Sequence, residues 1–427
     1  MSKFAMLFSG QGSQYVGMGK ALYQRYEVAK QIFNEASETL SMDLASLCFN
    51  GGIEELTKTE NTQPAILTVS VAAYQAYMEE VGIAPDFMAG HSLGEISALT
   101  CAGALKFADA VRIARARGTF MTLTTKDSQG GMAAVTGLEL EAIQSLCDQI
   151  SSDAQFVVVS NLNALSQYVI SGHKSKVASA CEELKQMGAQ VTPLQVSAAF
   201  HSPLMQPAAD LFRDELGYYH LEEGQAAIRV LSNVTGLPYE SKEEIVDLLT
   251  TQIVAPVRWS ACMAYLESHD VAYALEIGPG HTLRNLVSKN TVGMKSHSFD
   301  RDDIVAIKKS AAAFRKVAKA VPPFLSRCLG IAVSTRNSNW DQEEYQRGVI
   351  VPYKQIQQLK EHLETNGVDP SKEQMIEGMT LLKTIFETKK LPKLEQIERF
   401  HQLLSETGTM SLLQEVVDSL EERILIH

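Results

Sequence analysis

The stretch PDFMAGHSLGEISAL, residues 85–99, carries the fold in miniature. PDFMAGHS reads as a short strand, and LGEISAL has helical spacing with small residues that allow close packing. Between them Gly90 and Gly94 bracket Ser92 in the pattern G-x-S-x-G, a serine on a tight strand-to-helix turn. Such a turn exposes the hydroxyl and aims the helix N-terminus at it. The N–H of Leu93 then points where an oxyanion would form, and one such donor is worth about 10²- to 10³-fold in rate. A second reading stays open, because Ser92 and Glu95 also fit a capping box that merely starts a helix.

A nucleophilic serine needs a base. His201, in SAAFHSPLM, follows a strand and starts a loop between small residues. His281, in GPGHTL, is a rival, and His91 adjoins the serine and is placed to reach its backbone. SGQGSQ, after the first strand, is a flexible turn of the kind that builds sites at the carboxyl ends of strands in open α/β sheets. It lacks the lysine and spacing of a P-loop. Gln11 there has either an oxyanion-donor or a packing role. Arg112, Arg115 and Arg117 share one helical stretch at spacings that forbid a common face. Arg117 is the candidate to point inward, where a fork-shaped guanidinium suits a carboxylate. Arg112 and Arg115 read as a solvated face.

FAMLF (4–8) reads as a buried strand, and TQPAILTVSVAAYQAYMEEVGI as an apolar helix capped by Asn61 or Thr62. FADAVRIARARGTFMTLT is a further helix. From about 130 to 198 the order is strand-helix-strand-strand-helix-strand, the ferredoxin-like split unit, inserted into a larger α/β domain. The large domain resumes with AIRVLSNVTG and VAYALEIGPGHTL. Past residue 300 the pattern becomes mainly helical. VPPFLSR breaks a helix, Ile356, Leu359 and Leu363 share one helical face, and Leu394, Ile397, Phe400 and Leu404 share another.

The 427 residues suggest two or three units. No apolar run approaches the ~18 residues of a membrane span, and no secretory signal is read at the N-terminus. Six scattered cysteines without metal-ligand spacing fit reduced, buried thiols in a cytoplasmic protein. A net charge of −12 disfavours nucleic-acid binding. Residues 304–340 nonetheless carry no acid and seven cations: Lys308, Lys309, Arg315, Lys316, Lys319, Arg327 and Arg336.

Together these pieces resemble the malonyl-CoA:acyl carrier protein transacylase family, which includes the acyltransferase domains of fatty-acid and polyketide synthases. The matching motifs are FSGQGSQYVGMG (8–19), GHSLGE (90–95), RARGTFM (115–121), NLNALSQYVISG (161–172), AFHSPLM (199–205), PVRW (256–259) and EIGPGHTL (276–283). They stand in the family's order over about residues 1–295. The resemblance implies an α/β fold with a hydrolase-like large domain built on a parallel sheet (1–128 and 199–300). It also implies an inserted ferredoxin-like small domain (129–198), and leaves a helical extension (301–427) that the core family does not explain.

By that resemblance Ser92 takes the acyl group as an ester and His201 is its general base, oriented by the backbone carbonyl of Gln252. Gln11 and Leu93 supply oxyanion N–H groups. Arg117 pairs with the free carboxylate of malonyl. Phe200, Met121, Asn163 and Gln167 line the acyl pocket, and the bulk of Phe200 favours malonyl over a 2-methyl branch. No metal or permanently bound cofactor is implied; malonyl-CoA is a substrate. The expected partners are this coenzyme A thioester and carrier-protein domains of a polyketide synthase served in trans, with neither nucleic acid nor membrane. The basic stretch 308–336 suits either an acidic carrier protein or a solvated helix. The alternatives are an acyl hydrolase that clears stalled chains, an α/β-hydrolase esterase using His281, and a docking protein acting through its C-terminal helices.

Overall fold

The run FAMLF lies at the centre of a parallel sheet and is buried on both faces, which is why it is continuously apolar rather than alternating. The computed structural model describes residues 3–125, 130–194, 196, 198–222, 224, 228–318, 324–366, 370–407, 409, 412, 413 and 416. Its strands, in chain order, are β1 (Lys3–Phe8), β2 (Phe87–Gly90), β3 (Gly130–Thr136), β4 (Val157–Ala164), β5 (Gln167–His173), β6 (Gln190–Pro193), β7 (Arg229–Leu231), β8 (Val271–Ile277) and β9 (Lys295–Ser298). Five form a parallel sheet in the order β7-β2-β1-β8-β9. Phe4, Met6 and Phe8 pack on one side with helix Thr59–Glu80 and its neighbours, and Ala5 and Leu7 on the other with Trp259 and Leu283.

The insertion forms a separate antiparallel sheet, β4-β5-β3-β6. Helices Leu140–Ile150 and Lys174–Gln186 fall after β3 and β5, in the strand-helix order expected, and bury Ile143, Val177 and Leu184.

In the first 314 residues two local expectations fail for physical reasons. Neither Asn61 nor Thr62 caps the long helix, which starts at Thr59; their side chains turn back to the carbonyls of Glu55 and Leu56. Arg115 is not a solvated side chain. Pro64 lies inside the helix and has no N–H for the carbonyl four residues back. That carbonyl, Glu60 O, accepts from Arg115 Nη1 at 2.8 Å instead, and Asn61 Oδ1 accepts from the same nitrogen. Arg112 does lie on the surface, paired with Asp109 at 3.0 Å.

The chain divides into two units, 1–314 and 315–427. The second is helical, with helices Phe324–Ser334, Val351–Asn366, Lys372–Thr388 and Lys393–Thr407 around Cys328, Ile356, Leu382, Phe386, Phe400 and Leu404. Leu394, expected on the buried face of the last of these, is instead 71% exposed, because that face begins at Ile397. The closing segment beyond 416, and the break at VPPFLSR up to 323, lie outside the described residues. Among the described residues no helix is long and apolar enough to cross a membrane.

Candidate active site

Ser92 sits between β2 and helix Leu93–Cys101 with φ 54° and ψ −106°, a backbone conformation costly for a residue with a Cβ. The flanking glycines make that turn possible. A Cβ on Gly90 would lie 1.8 Å from the Gly94 carbonyl carbon, and one on Gly94 would lie 2.1 Å from Phe8 O at the end of β1. Asn233, just past β7, staples the turn. Its Oδ1 accepts from Ser92 N–H at 2.7 Å and its Nδ2 donates to Gly90 O at 2.8 Å.

These bonds exclude the capping box. The Ser92 side chain makes no cap bond, and Asn233 rather than Glu95 accepts the Ser92 N–H. Ser92 Oγ instead lies 2.8 Å from His201 Nε2. His201, also at positive φ (56°), donates from Nδ1 to Gln252 O at 2.7 Å. That bond fixes the tautomer and leaves Nε2 unprotonated to accept from the serine. Burial, reinforced by the charge of Arg117, pushes the His201 pKa down to about 3, so the ring is neutral near neutral pH.

Arg117 is 1% exposed. Nη2 donates to Ser92 Oγ at 3.1 Å and to Gln252 Oε1 at 2.8 Å, and Nη1 donates to Gln63 Oε1 at 2.9 Å. Its Nε has no partner among the described residues. Burial lowers its pKa to about 10, opposed by Glu95, so it keeps its charge. Behind it Glu95 is fully buried, accepting from Gln252 Nε2 at 2.7 Å, from Asn233 N–H at 2.9 Å and from the Tyr239 hydroxyl. Burial raises its pKa to about 7 against the pull of these donors and of Arg117.

The turn 9–12 closes over the serine: a Cβ on Gly10 would fall 2.2 Å from His91 O. Among the described residues the backbone N–H groups of Gln11 and Leu93 have no acceptor. The Gln11 side chain reaches Thr59 Oγ1 at 3.3 Å. Met121 is buried, its Sδ meeting Gln63 Nε2 at 3.5 Å, and Phe200 packs in the same core cluster. Asn163 Oδ1 lies 2.8 Å from His91 Nε2, tying the inserted sheet to the serine turn. His91 therefore turns to this partner rather than to the serine backbone. Gln167 bonds Lys289 at 2.8 Å and makes no bond to the serine cluster. The rival base, His281, is exposed at the start of helix Thr282–Asn290 and makes no bond to Ser92.

Sequence reasoning missed Gln63, Asn233 and Tyr239, and gave Glu95 only a capping role. For Asn233 a signal existed, a polar residue directly after a strand at the site end of the sheet. Gln63 lies within an apolar helix and offers none.

Residues 5–321 match the acyl transferase domain family. The chain belongs to that family. It is 40% identical over 398 residues to a malonyl CoA-acyl carrier protein transacylase of Bacillus subtilis, covering 93% of this chain and 99% of the relative. A second such transacylase, from Bacillus subtilis strain 168, is 45% identical over 290 residues, covering 68% of this chain and 90% of the relative. The first match is long enough to enter the C-terminal unit of this family member. Among solved structures, the malonyl CoA-acyl carrier protein transacylase of Coxiella burnetii matches with a TM-score of 0.70 at 35% identity, covering 72% of this chain and 97% of that one. A malonyl-transacylase in complex with a type II polyketide synthase acyl-carrier protein matches with a TM-score of 0.70 at 38% identity, covering 72% and 100%.

Proposed function

We propose that this acyltransferase moves malonyl from malonyl-CoA to the phosphopantetheine thiol of an acyl carrier protein through an ester on Ser92. The observation that carries the choice of acyl group is Arg117, a buried, charged guanidinium 3.1 Å from Ser92 Oγ with no carboxylate bonded to it among the described residues. A short acyl group held on Ser92 brings a terminal carboxylate to that fork, whereas an uncharged acyl chain leaves the guanidinium unpaired.

Ser92 Oγ attacks the thioester carbonyl while His201 Nε2 takes its proton. The unpartnered N–H groups of Leu93 and Gln11 receive the oxyanion. Collapse expels the coenzyme A thiolate, which leaves with the proton from His201. The carrier thiol then attacks the ester, gives its proton to His201, and the proton returns to Ser92 as the product departs. A neutral Gln252 carbonyl suffices to orient His201, because a thiolate is a good leaving group and little acid assistance is needed. Phe200 and Met121 wall the acyl pocket, and Asn163 and Gln167 shape its rim from the inserted sheet.

The finer reading is that the large domain (1–128 and 199–300) is hydrolase-like and the small domain (129–198) ferredoxin-like, and that within the extension 301–427 the separate helical part begins at 315. We read the enzyme as cytoplasmic and as serving a polyketide synthase in trans; the similarity to a malonyl-transacylase solved with a type II polyketide synthase acyl-carrier protein supports a carrier protein as its partner. Hydrolysis is disfavoured, since a buried guanidinium beside the ester has no part in releasing uncharged stalled chains. Incubation with labelled malonyl-CoA and a holo carrier protein tests the reading. Label passes to the carrier with the wild type. Absence of transfer, or label retained on Ser92→Ala, contradicts it.

A further inference from the structure

Arg117 carries its charge in a buried site, yet each of its direct partners is neutral: Gln63 Oε1, Gln252 Oε1 and Ser92 Oγ. The carboxylate of this network stands one amide further back. Glu95 Oε2 accepts from Gln252 Nε2 at 2.7 Å, and Gln252 Oε1 accepts from Arg117 Nη2 at 2.8 Å. Gln252 thus separates a buried acid from a buried base that would otherwise pair.

An amide has a direction: Nε2 donates and Oε1 accepts. Three donors converge on Glu95, namely Tyr239 O–H, Asn233 N–H and Gln252 Nε2–H. This set suits a carboxylate, which only accepts. With Glu95 holding Nε2, the Gln252 carbonyl must face the guanidinium. With Glu95 neutral the amide loses its reason to point that way, and turning it over would set N–H groups against Arg117. A direct carboxylate–guanidinium pair would have the opposite fault, since it would already fill the fork a substrate carboxylate needs. Gln252 Nε2 also donates to Ser92 O at 3.1 Å, so the same amide touches the nucleophile's backbone.

We propose that Glu95 is a positioning residue for acyl selection: through the Gln252 amide it balances the charge of Arg117 without pairing with it, which keeps the guanidinium open to a carboxylate on the acyl group. This rests on the malonyl reading above and adds a residue that touches neither substrate nor nucleophile side chain.

The test compares acylation by malonyl-CoA and by acetyl-CoA at pH 8, reading kcat and KM for each, with thermal midpoints alongside. Glu95→Gln should raise KM for malonyl-CoA and lower the malonyl-to-acetyl ratio of kcat/KM by about 10- to 100-fold, with acetyl loading little changed. The exchange Glu95→Gln/Gln252→Glu keeps both groups but moves the carboxylate against Arg117, and should lower the ratio further. Tyr239→Phe removes a bond to the same carboxyl without touching Gln252. At a pH high enough to keep Glu95 ionised in both proteins it should lower the thermal midpoint yet leave the ratio near wild type, which separates positioning from mere stability. An unchanged ratio in Glu95→Gln, or in a folded exchange variant, overturns the proposal; if the exchange variant does not fold, Glu95→Gln decides alone. A wild type that loads no malonyl overturns the transferase reading itself, which is a different failure.

Discussion

Arg117 Nη2 lies 3.1 Å from Ser92 Oγ, so the residue read as recognising the acyl group also touches the nucleophile. Recognition and chemistry are therefore in contact before substrate arrives. Arg117→Ala should lower malonyl loading by about 10- to 150-fold, the worth of a charge-assisted hydrogen bond of ~1.5–3 kcal/mol. Acetyl loading should fall less. Arg117→Lys should not restore it, because an ammonium cannot present the fork. Rates of acylation for both thioesters check this.

His201→Ala should slow acylation by about 10²- to 10⁴-fold, the usual worth of a positioned general base. His281→Ala should leave it unchanged, since that ring is exposed and makes no bond to Ser92. Single-turnover acylation of the two variants distinguishes them.

The pH dependence follows from burial. The His201 pKa is held down to about 3, below the unperturbed value near 6.5. Only neutral imidazole accepts the Ser92 proton, so acylation should not fall off with a midpoint near 6.5 as the solution is acidified. A limb near pH 7 belongs instead to Glu95, raised to about 7, and should vanish in Glu95→Gln. The same depression makes the His201 contribution to stability complete above its unfolded pKa of ~6.5. That contribution is lost as pH falls toward 3, because the unfolded chain binds the proton first. A loss of activity near 6.5 that survives in Glu95→Gln would contradict this account.

Asn233 makes three bonds around the strained turn, to Ser92 N–H, Gly90 O and Glu95. Asn233→Ala keeps only the backbone one. It should destabilise the protein by about 1–3 kcal/mol and slow acylation, read from denaturant unfolding and loading rates together.

In the C-terminal unit, Lys389 Nζ is buried and donates to Ala332 O at 2.6 Å and Thr335 O at 3.0 Å, closing the end of helix Phe324–Ser334. Burial lowers its pKa. Lys389→Met should lower the stability of this unit by about 1–3 kcal/mol while malonyl loading stays at the wild-type level.

What the sequence made legible follows the range of each interaction. Strands β1 and β2, the serine turn and the order of elements in the insertion depend on local pattern, and they stand where the pattern put them. Ser92, His201 and Arg117 are legible because each sits in a short motif, and the Gln252 carbonyl because it lies just ahead of PVRW. Arg115 carries no local signal, since its partner, the carbonyl freed by Pro64, lies 55 residues away. The spacing of Glu95 from Ser92 leaves a capping box open, whereas its actual donors come from residues 233, 239 and 252. Leu394 kept the period of its helix but lay one turn before the buried face began. Such partners are set by tertiary packing, which no window of sequence contains.

The most direct measurement of the central claim is the intact mass of the protein after brief exposure to an equimolar mixture of malonyl-CoA and acetyl-CoA. The account predicts one malonyl group per chain, absent from Ser92→Ala and displaced toward acetyl in Arg117→Ala. An unmodified chain, an adduct that persists in Ser92→Ala, or a predominantly acetyl adduct on the wild type would contradict it.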